Sequence, residues 1–184
     1  MRVIAGSLKG RRLKTPTWEG LRPTSDKLRE TLFNVLAPRI GGARVLDGYA
    51  GTGAVGIEAL SRGAAAVTFV EHDRRAQTLI ADNLSHCGIA DGYAIIRAST
   101  LRALGDLRAC GAVFDLILLD PPYADTDTQI TAVLSESGAI LAPDGLVVLE
   151  HARRRPAPIG AGRLVQTRVV AAGDSALAFY ACQP

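Results

Sequence analysis

Aromatic side chains are scarce, with four Phe, four Tyr and one Trp among 184 residues. Hydrophobic residues still make up 48% of the chain, so a core must be built mainly from Ala, Val, Leu and Ile. That is enough for one domain of ordinary size with a small appendage. Only three cysteines occur, Cys87, Cys110 and Cys182, far apart and at no metal or redox spacing. This excludes a disulfide framework and a thiolate zinc site; no metal is expected, and the three should behave as small core residues. No apolar run approaches the roughly 20 residues of a membrane span. Met1 to Lys14 holds five basic residues and no apolar stretch, so no secretory leader is expected. A reduced, cytoplasmic, monomeric protein is the expectation.

Acids are missing from one end. Residues 1–44 carry ten Lys and Arg against three acids, while the remainder carries eleven basic and fifteen acidic side chains. Such segregation fits either a polyanion held by the N-terminal part or a solvated basic surface. Within it, two β-prone runs, Val3-Ile4-Ala5 and Arg11-Arg12-Leu13-Lys14, are punctuated by Gly6 and Gly10 and read as a hairpin. With little of its own to bury, this hairpin should lean on a partner or stay mobile. A helix should begin at Thr24 or Ser25, bury Leu28, Leu32, Phe33, Val35 and Leu36, and stop before Pro38. The division expected is a basic hairpin extension over 1–21 and the main domain over 22–184.

From Ala43 onward strands and helices alternate. Strands are expected at Arg44–Asp47, Val67–Glu71, Tyr93–Ile96, Asp115–Asp120 and Leu146–Glu150, with helices near 54–62, 73–86, 99–109 and 127–137. A closing hairpin, Leu164–Ala171 with Ala176–Ala181, flanks Gly173-Asp174. Repeated βα units imply an α/β fold with a mainly parallel sheet and an antiparallel strand near one edge.

Gly51-Thr52-Gly53-Ala54-Val55-Gly56 satisfies G-x-G-x-x-G between a strand and a helix, a turn shared by dinucleotide enzymes and methyltransferases. Asp47, four residues earlier, separates the two. A pyrophosphate over this turn would be repelled by a carboxylate, whereas S-adenosylmethionine carries an ammonium and a sulfonium, which a carboxylate favours. Glu71, ending the second strand, can accept both ribose hydroxyls of an adenosine. Asp120-Pro121-Pro122-Tyr123 ends the fourth strand, where ligands of open α/β sheets sit. An exocyclic amine is a poor nucleophile because its lone pair is delocalised. Asp120 and the Pro121 carbonyl can grip its hydrogens, the two prolines stiffen the turn and leave intervening carbonyls to accept, and Tyr123 offers a face for an extruded base. Asp120 either orients the amine or also takes its proton.

With these residues assembled, the chain resembles the bacterial small-subunit rRNA guanine-N2 methyltransferase family (RsmD-like). The resemblance runs through Arg2-Val3-Ile4-Ala5-Gly6 with Gly10-Arg11, the block from Leu21 to Asn34, the Asp47–Gly53 turn, Gly56 to Ala64, and Asp120–Tyr123. It implies a class I S-adenosylmethionine-dependent methyltransferase fold, a Rossmann-like seven-stranded, mostly parallel sheet with the last strand antiparallel, behind the basic hairpin. It also implies a guanine N2 target in ribosomal RNA, within a partly assembled small subunit. Asp47, Tyr49, Gly51, Thr52, Gly53, Glu71, Ser99, Thr100, Arg22 and Thr24 would then hold the donor. Asp120, Pro121, Pro122 and Tyr123 would carry the chemistry, while Arg2, Lys9, Arg11, Arg12, Lys14 and Arg29 would contact RNA, Arg29 and Glu30 lining the entrance. Two positions depart from the family: Gly48 replaces a bulkier residue, which should loosen the turn, and Ser99-Thr100 stand where Asp or Asn usually meets the adenine. The rivals are a DNA amino-methyltransferase, for which the chain looks too short to hold a target-recognition domain, and a non-catalytic RNA-binding protein on the same scaffold.

Overall fold

The central strands of the sheet alternate their buried side chains between two helical layers. Val45, Leu116, Leu118 and Val148 face one hydrophobic cluster, and Leu46, Ile117, Leu119 and Leu149 face the other. Period-2 alternation with both faces apolar is what a strand covered by helices on each side requires. The computed structural model describes residues 1–18 and 25–183.

The elements run α1 (Asp26–Ile40), β1 (Arg44–Asp47), α2 (Ala54–Ser61), β2 (Ala66–Glu71), α3 (Arg74–His86), β3 (Tyr93–Arg97) and α4 (Thr100–Ala109). They continue with β4 (Phe114–Leu119), α5 (Asp127–Ala139), β5 (Leu141–Ala152), β6 (Gly160–Ala161), β7 (Leu164–Ala172) and β8 (Ser175–Cys182). Among the described residues they form one eight-stranded sheet in the order β3-β2-β1-β4-β5-β8-β7-β6. β1 to β5 are parallel, and β8 pairs antiparallel with both β5 and β7. The strand beyond the seven expected is the two-residue edge β6, too short to leave a sequence signal. Strand order reverses between β1 and β4, so the crevice at their carboxyl ends is where a ligand belongs.

Helix α1 starts as its cap predicts, with Ser25 accepting from the Leu28 amide. It does not stop before Pro38 but runs on to Ile40. Pro38 lies in the exposed last turn, where solvent can reach the carbonyl left without a donor, and the extra turn buries Ile40 to 4% exposure. Of the cysteines, only Cys87 is a buried core residue; Cys110 is exposed and Cys182 half-buried.

The N-terminal segment makes a single β-bridge, Arg2 to Arg12, rather than two strands. Its next amides turn away from a strand partner: Ile4 and Ala5 donate to the two Glu58 oxygens at 2.7 and 2.9 Å, and Ser7 donates to the Ser61 carbonyl at 2.7 Å. Gly6, at φ 82°, passes so close to α2 that a Cβ there would sit 1.8 Å from the Ser61 carbonyl oxygen. Val3 and Leu13 are buried in the same cluster as α1 and α2. The segment therefore leans on its own chain, through α2.

Arg29, expected among the RNA contacts, is fully buried beneath this segment. Its guanidinium donates to the Arg2 carbonyl at 2.6 Å and to Asp26 at 3.0 Å, with Glu58 3.9 Å away. Burial lowers its pKa, and the Asp26 and Glu58 charges oppose that shift. A side chain with no exposure cannot meet RNA; Arg29 braces the extension from inside.

Candidate active site

β1 delivers Asp47 to the floor of the crevice, 4% exposed, with Oδ2 accepting from the Gly56 amide at 3.0 Å. Burial pushes its carboxyl up to about 7; the Gly56 amide resists that rise, and the charges of Asp120 and Glu71 add to it. β2 delivers Glu71 beside it. One Glu71 oxygen accepts from the Gly51 amide at 2.9 Å, the other from Asp73 at 2.8 Å. The glycine turn is therefore bonded to carboxylates at both its start and its helix. A phosphate approaching these amides would find Gly51 and Gly56 already donating to acids.

Gly48 does not loosen this turn. Its amide donates to the Leu118 carbonyl at 2.8 Å, and its own carbonyl accepts from Thr100 Oγ1 at 2.7 Å. A Cβ at position 48 would meet Leu119 Cδ2 at 2.7 Å and Thr100 Cγ2 at 3.3 Å, so neighbouring side chains fill the space.

Over the turn lies a cavity of about 550 Å³. It brings together Asp47, Tyr49, Gly51, Thr52, Glu71 and Thr100 with the whole Asp120–Tyr123 tetrapeptide. Gly53 and Ser99 are not on its wall. Gly53, at φ 78°, caps α2 from behind, and Ser99 is the exposed N-cap of α4. Arg22 and Thr24 lie outside the described residues. Burial pushes the Tyr49 phenol up to about 12, and its hydroxyl lies 3.4 Å from Asp125.

β4 ends at Leu119, so Asp120 leaves the sheet half-buried, followed by buried Pro121 and exposed Pro122. The Pro122 carbonyl is not left over for a substrate, since it accepts the Asp125 amide at 2.9 Å and closes the turn. Tyr123 is 50% exposed. Its hydroxyl sits 3.5 Å from Ser175 Oγ on β8, and its carbonyl accepts from Arg155 at 3.3 Å.

Several cavity residues escaped the sequence reading, Trp18, Arg75, Glu150 and Ser175 among them. Trp18, the chain's single tryptophan, stands at the mouth with the Arg75 guanidinium 5.1 Å from its ring centre, and Asp73 holds Arg75 at 2.8 Å. Glu150 and Ser175 arrive from β5 and β8. Only Glu150 had a usable signal, an acid at the carboxyl end of a strand like Asp47, Glu71 and Asp120. Among the described residues no His, Cys, Asp and Glu cluster is grouped to hold a metal ion, and no helix is long and apolar enough to cross a membrane.

The expected RNA-contact residues Arg2, Lys9, Arg11, Arg12 and Lys14 are all exposed on the N-terminal segment. Lys14 spends part of its charge on Asp82 at 3.0 Å, a pair half-exposed on both sides.

The family model described as "Conserved hypothetical protein 95" matches residues 1–181. "Putative rRNA methyltransferase YlbH" of Bacillus subtilis is 38% identical over 180 residues, 98% of each chain. "Ribosomal RNA small subunit methyltransferase D" of Escherichia coli is 39% identical over 150 residues, 82% of this chain and 74% of that one. Among solved structures, "Putative methyltransferase yhhF from Escherichia coli" superposes with a TM-score of 0.82 at 33% identity, covering 100% of this chain and 99% of the other. The sheet order and these relatives make the fold that of a class I methyltransferase.

Proposed function

Because the chain belongs to the small-subunit ribosomal RNA methyltransferase D family, we propose that it methylates the exocyclic N2 amine of a guanine in small-subunit ribosomal RNA, using S-adenosylmethionine. The observation that carries this reading is the pairing of two features in one cavity: a glycine turn whose Gly51 and Gly56 amides are taken by carboxylates, and the Asp-Pro-Pro-Tyr turn beside it. The first suits a cationic nucleoside without phosphates; the second suits a planar amine.

When bound, the donor supplies an electrophilic methyl group on a sulfonium. Asp47 faces its cationic end, and Glu71, fixed by two backbone amides, keeps lone pairs for ribose hydroxyls. Asp120 and the Pro121 carbonyl hold the amine hydrogens so that the nitrogen lone pair meets the methyl in line. The nitrogen–carbon bond forms as the sulfur–carbon bond breaks, and the amine proton leaves toward Asp120. Alignment of this kind contributes up to ~10 kcal/mol in well-oriented reactions. Tyr123 stacks on the extruded base. Segment 1–21, with Arg2, Lys9, Arg11, Arg12 and Lys14, grips RNA phosphates, and residues 22–184 form the catalytic part. A partly assembled subunit is the substrate that exposes such a base.

The test is methyl transfer from labelled donor to ribosomal RNA, to assembled and unassembled small subunits, and to DNA, followed by mapping of the modified base. Label at a guanine N2 of small-subunit RNA is expected. Label on DNA alone, or at adenine N6 or cytosine N4, would overturn the reading.

A further inference from the structure

Four strands deliver an acid to the cavity in spatial order: Glu71 from β2, Asp47 from β1, Asp120 after β4 and Glu150 from β5. The first two flank the glycine turn and the third the reactive amine. Glu150 stands one strand further from the donor, on the side where the rest of the base must lie. We propose that Glu150 reads the Watson–Crick edge of the target and selects guanine; this rests on the guanine-N2 reading above.

The placement follows from register. Leu119 of β4 pairs in parallel with Leu149 of β5, so Asp120, the first residue past β4, comes beside Glu150 of β5. Adjacent strands lie about 4.8 Å apart, which lets two carboxylates approach one amine from its two sides. β8 fixes Glu150 from the far side, pairing it with Leu177, and Leu177 and Ser175 line the same cavity. Tyr123, the stacking face, reaches across to Ser175, two residues along β8 from the Leu177 that pairs with Glu150.

The chemistry then discriminates among bases. In guanine the N2 amine sits next to N1–H, two donors side by side, and the paired oxygens of a carboxylate accept both. Glu150 takes N1–H and shares the adjacent N2 hydrogen with the Pro121 carbonyl, and the other N2 hydrogen goes to Asp120. In adenine the N6 amine adjoins N1, and in cytosine the N4 amine adjoins N3, both acceptors whose lone pairs would oppose a carboxylate. An acid at position 150 thus admits guanine and repels the two bases that share its kind of amine.

The experiment places either guanine or 2-aminoadenine at the mapped target of the RNA substrate. Both bases carry the N2 amine, but N1 of 2-aminoadenine is an acceptor. The wild-type enzyme should prefer guanine by roughly 100-fold or more in kcat/KM. In Glu150→Gln the amide donates to N1 and accepts from N2, so the preference should shrink by roughly tenfold or more. The affinity for S-adenosylhomocysteine, measured by calorimetry, should stay as in wild type, showing a folded protein with an intact donor site. An unchanged guanine preference overturns the assignment, as does lost donor affinity in a folded variant. Should Glu150→Gln not fold, Glu150→Asp carries the test: guanine preference kept with lowered kcat/KM is expected, and an undiminished kcat/KM overturns it. A wild-type enzyme that methylates neither base at N2 overturns the guanine reading itself and Glu150's role with it.

Discussion

The two halves of the cavity are built differently. On the β1–β2 side nearly every polar group of the turn is committed: Asp47 to Gly56, Glu71 to Gly51 and Asp73, and Thr100 to Gly48. On the β4–β5 side Pro122 and Tyr123 are exposed, and Tyr123 reaches Ser175 with its hydroxyl and Arg155 with its carbonyl. A small donor is met by a preformed receptacle, whereas a base arriving on a large RNA needs an open face. The contrast makes a testable division of labour, since damage to one half should leave the other working.

Asp120→Ala is the harshest way to probe that division. Removing the group that holds the amine should lower the transfer rate by roughly 1,000-fold, the scale of lost general-base or orienting groups. Donor affinity by calorimetry should change little. Loss of donor affinity together with turnover would erase the boundary between the halves and take Asp120 out of its chemical role.

Asp47→Asn attacks the other half. Replacing the acid nearest the cationic end should weaken donor binding by roughly 10-fold or more, the scale of a charge-assisted contact of 1.5 to 3 kcal/mol. The pH dependence sharpens this. The folded carboxyl titrates at about 7, above its ordinary 3.8, so the stability it contributes at low pH is lost as pH rises toward 7. A cationic donor favours the ionised form, so wild-type donor affinity should climb between about pH 6 and 8 and then level off. Binding below pH 7 should release a proton. In Asp47→Asn the climb should vanish; a variant that keeps it would place the titrating group elsewhere.

The same contrast explains what could be read in advance. The donor half is a short-range object: Asp47, the glycines and Glu71 fall within 25 residues, and their turn chemistry leaves a local pattern. The alternation of strands and helices was equally legible, because strands buried on both faces read as apolar runs. The base half gathers Asp120, Glu150 and Ser175 from three strands, brought together by the β4–β5 pairing and by β8 inserting antiparallel between β5 and β7. Arg29 misled for a related reason. An arginine in a basic segment looks like a surface cation until the fold buries it, with its guanidinium donating to the Arg2 carbonyl and Glu58 of α2 3.9 Å away. Two-residue β6 and the continuation of α1 through Pro38 were invisible because each depends on a tertiary neighbour rather than on local preference.

The gentlest break in the comparison lies outside the cavity. If the open half takes its base from an RNA gripped by the N-terminal segment, that grip is electrostatic and should show in salt. Arg11 and Arg12 are exposed, and the side chains of Glu58, Ser61, Arg29, Asn83 and Asp82 bond their segment to the domain through Arg2, Ile4, Ala5, Leu8 and Lys14. Arg11→Ala with Arg12→Ala should therefore leave the fold and the donor affinity intact. Each lost phosphate contact should flatten the slope of log affinity against log salt by about 0.7 to 0.9. The double variant should thus bind RNA more weakly at low salt and converge on wild type at high salt. Lys14→Ala should add less, because Asp82 already holds that ammonium at 3.0 Å. A slope unmoved by the double variant would make the basic segment a solvated surface, leaving the RNA to be held by the open half of the cavity alone.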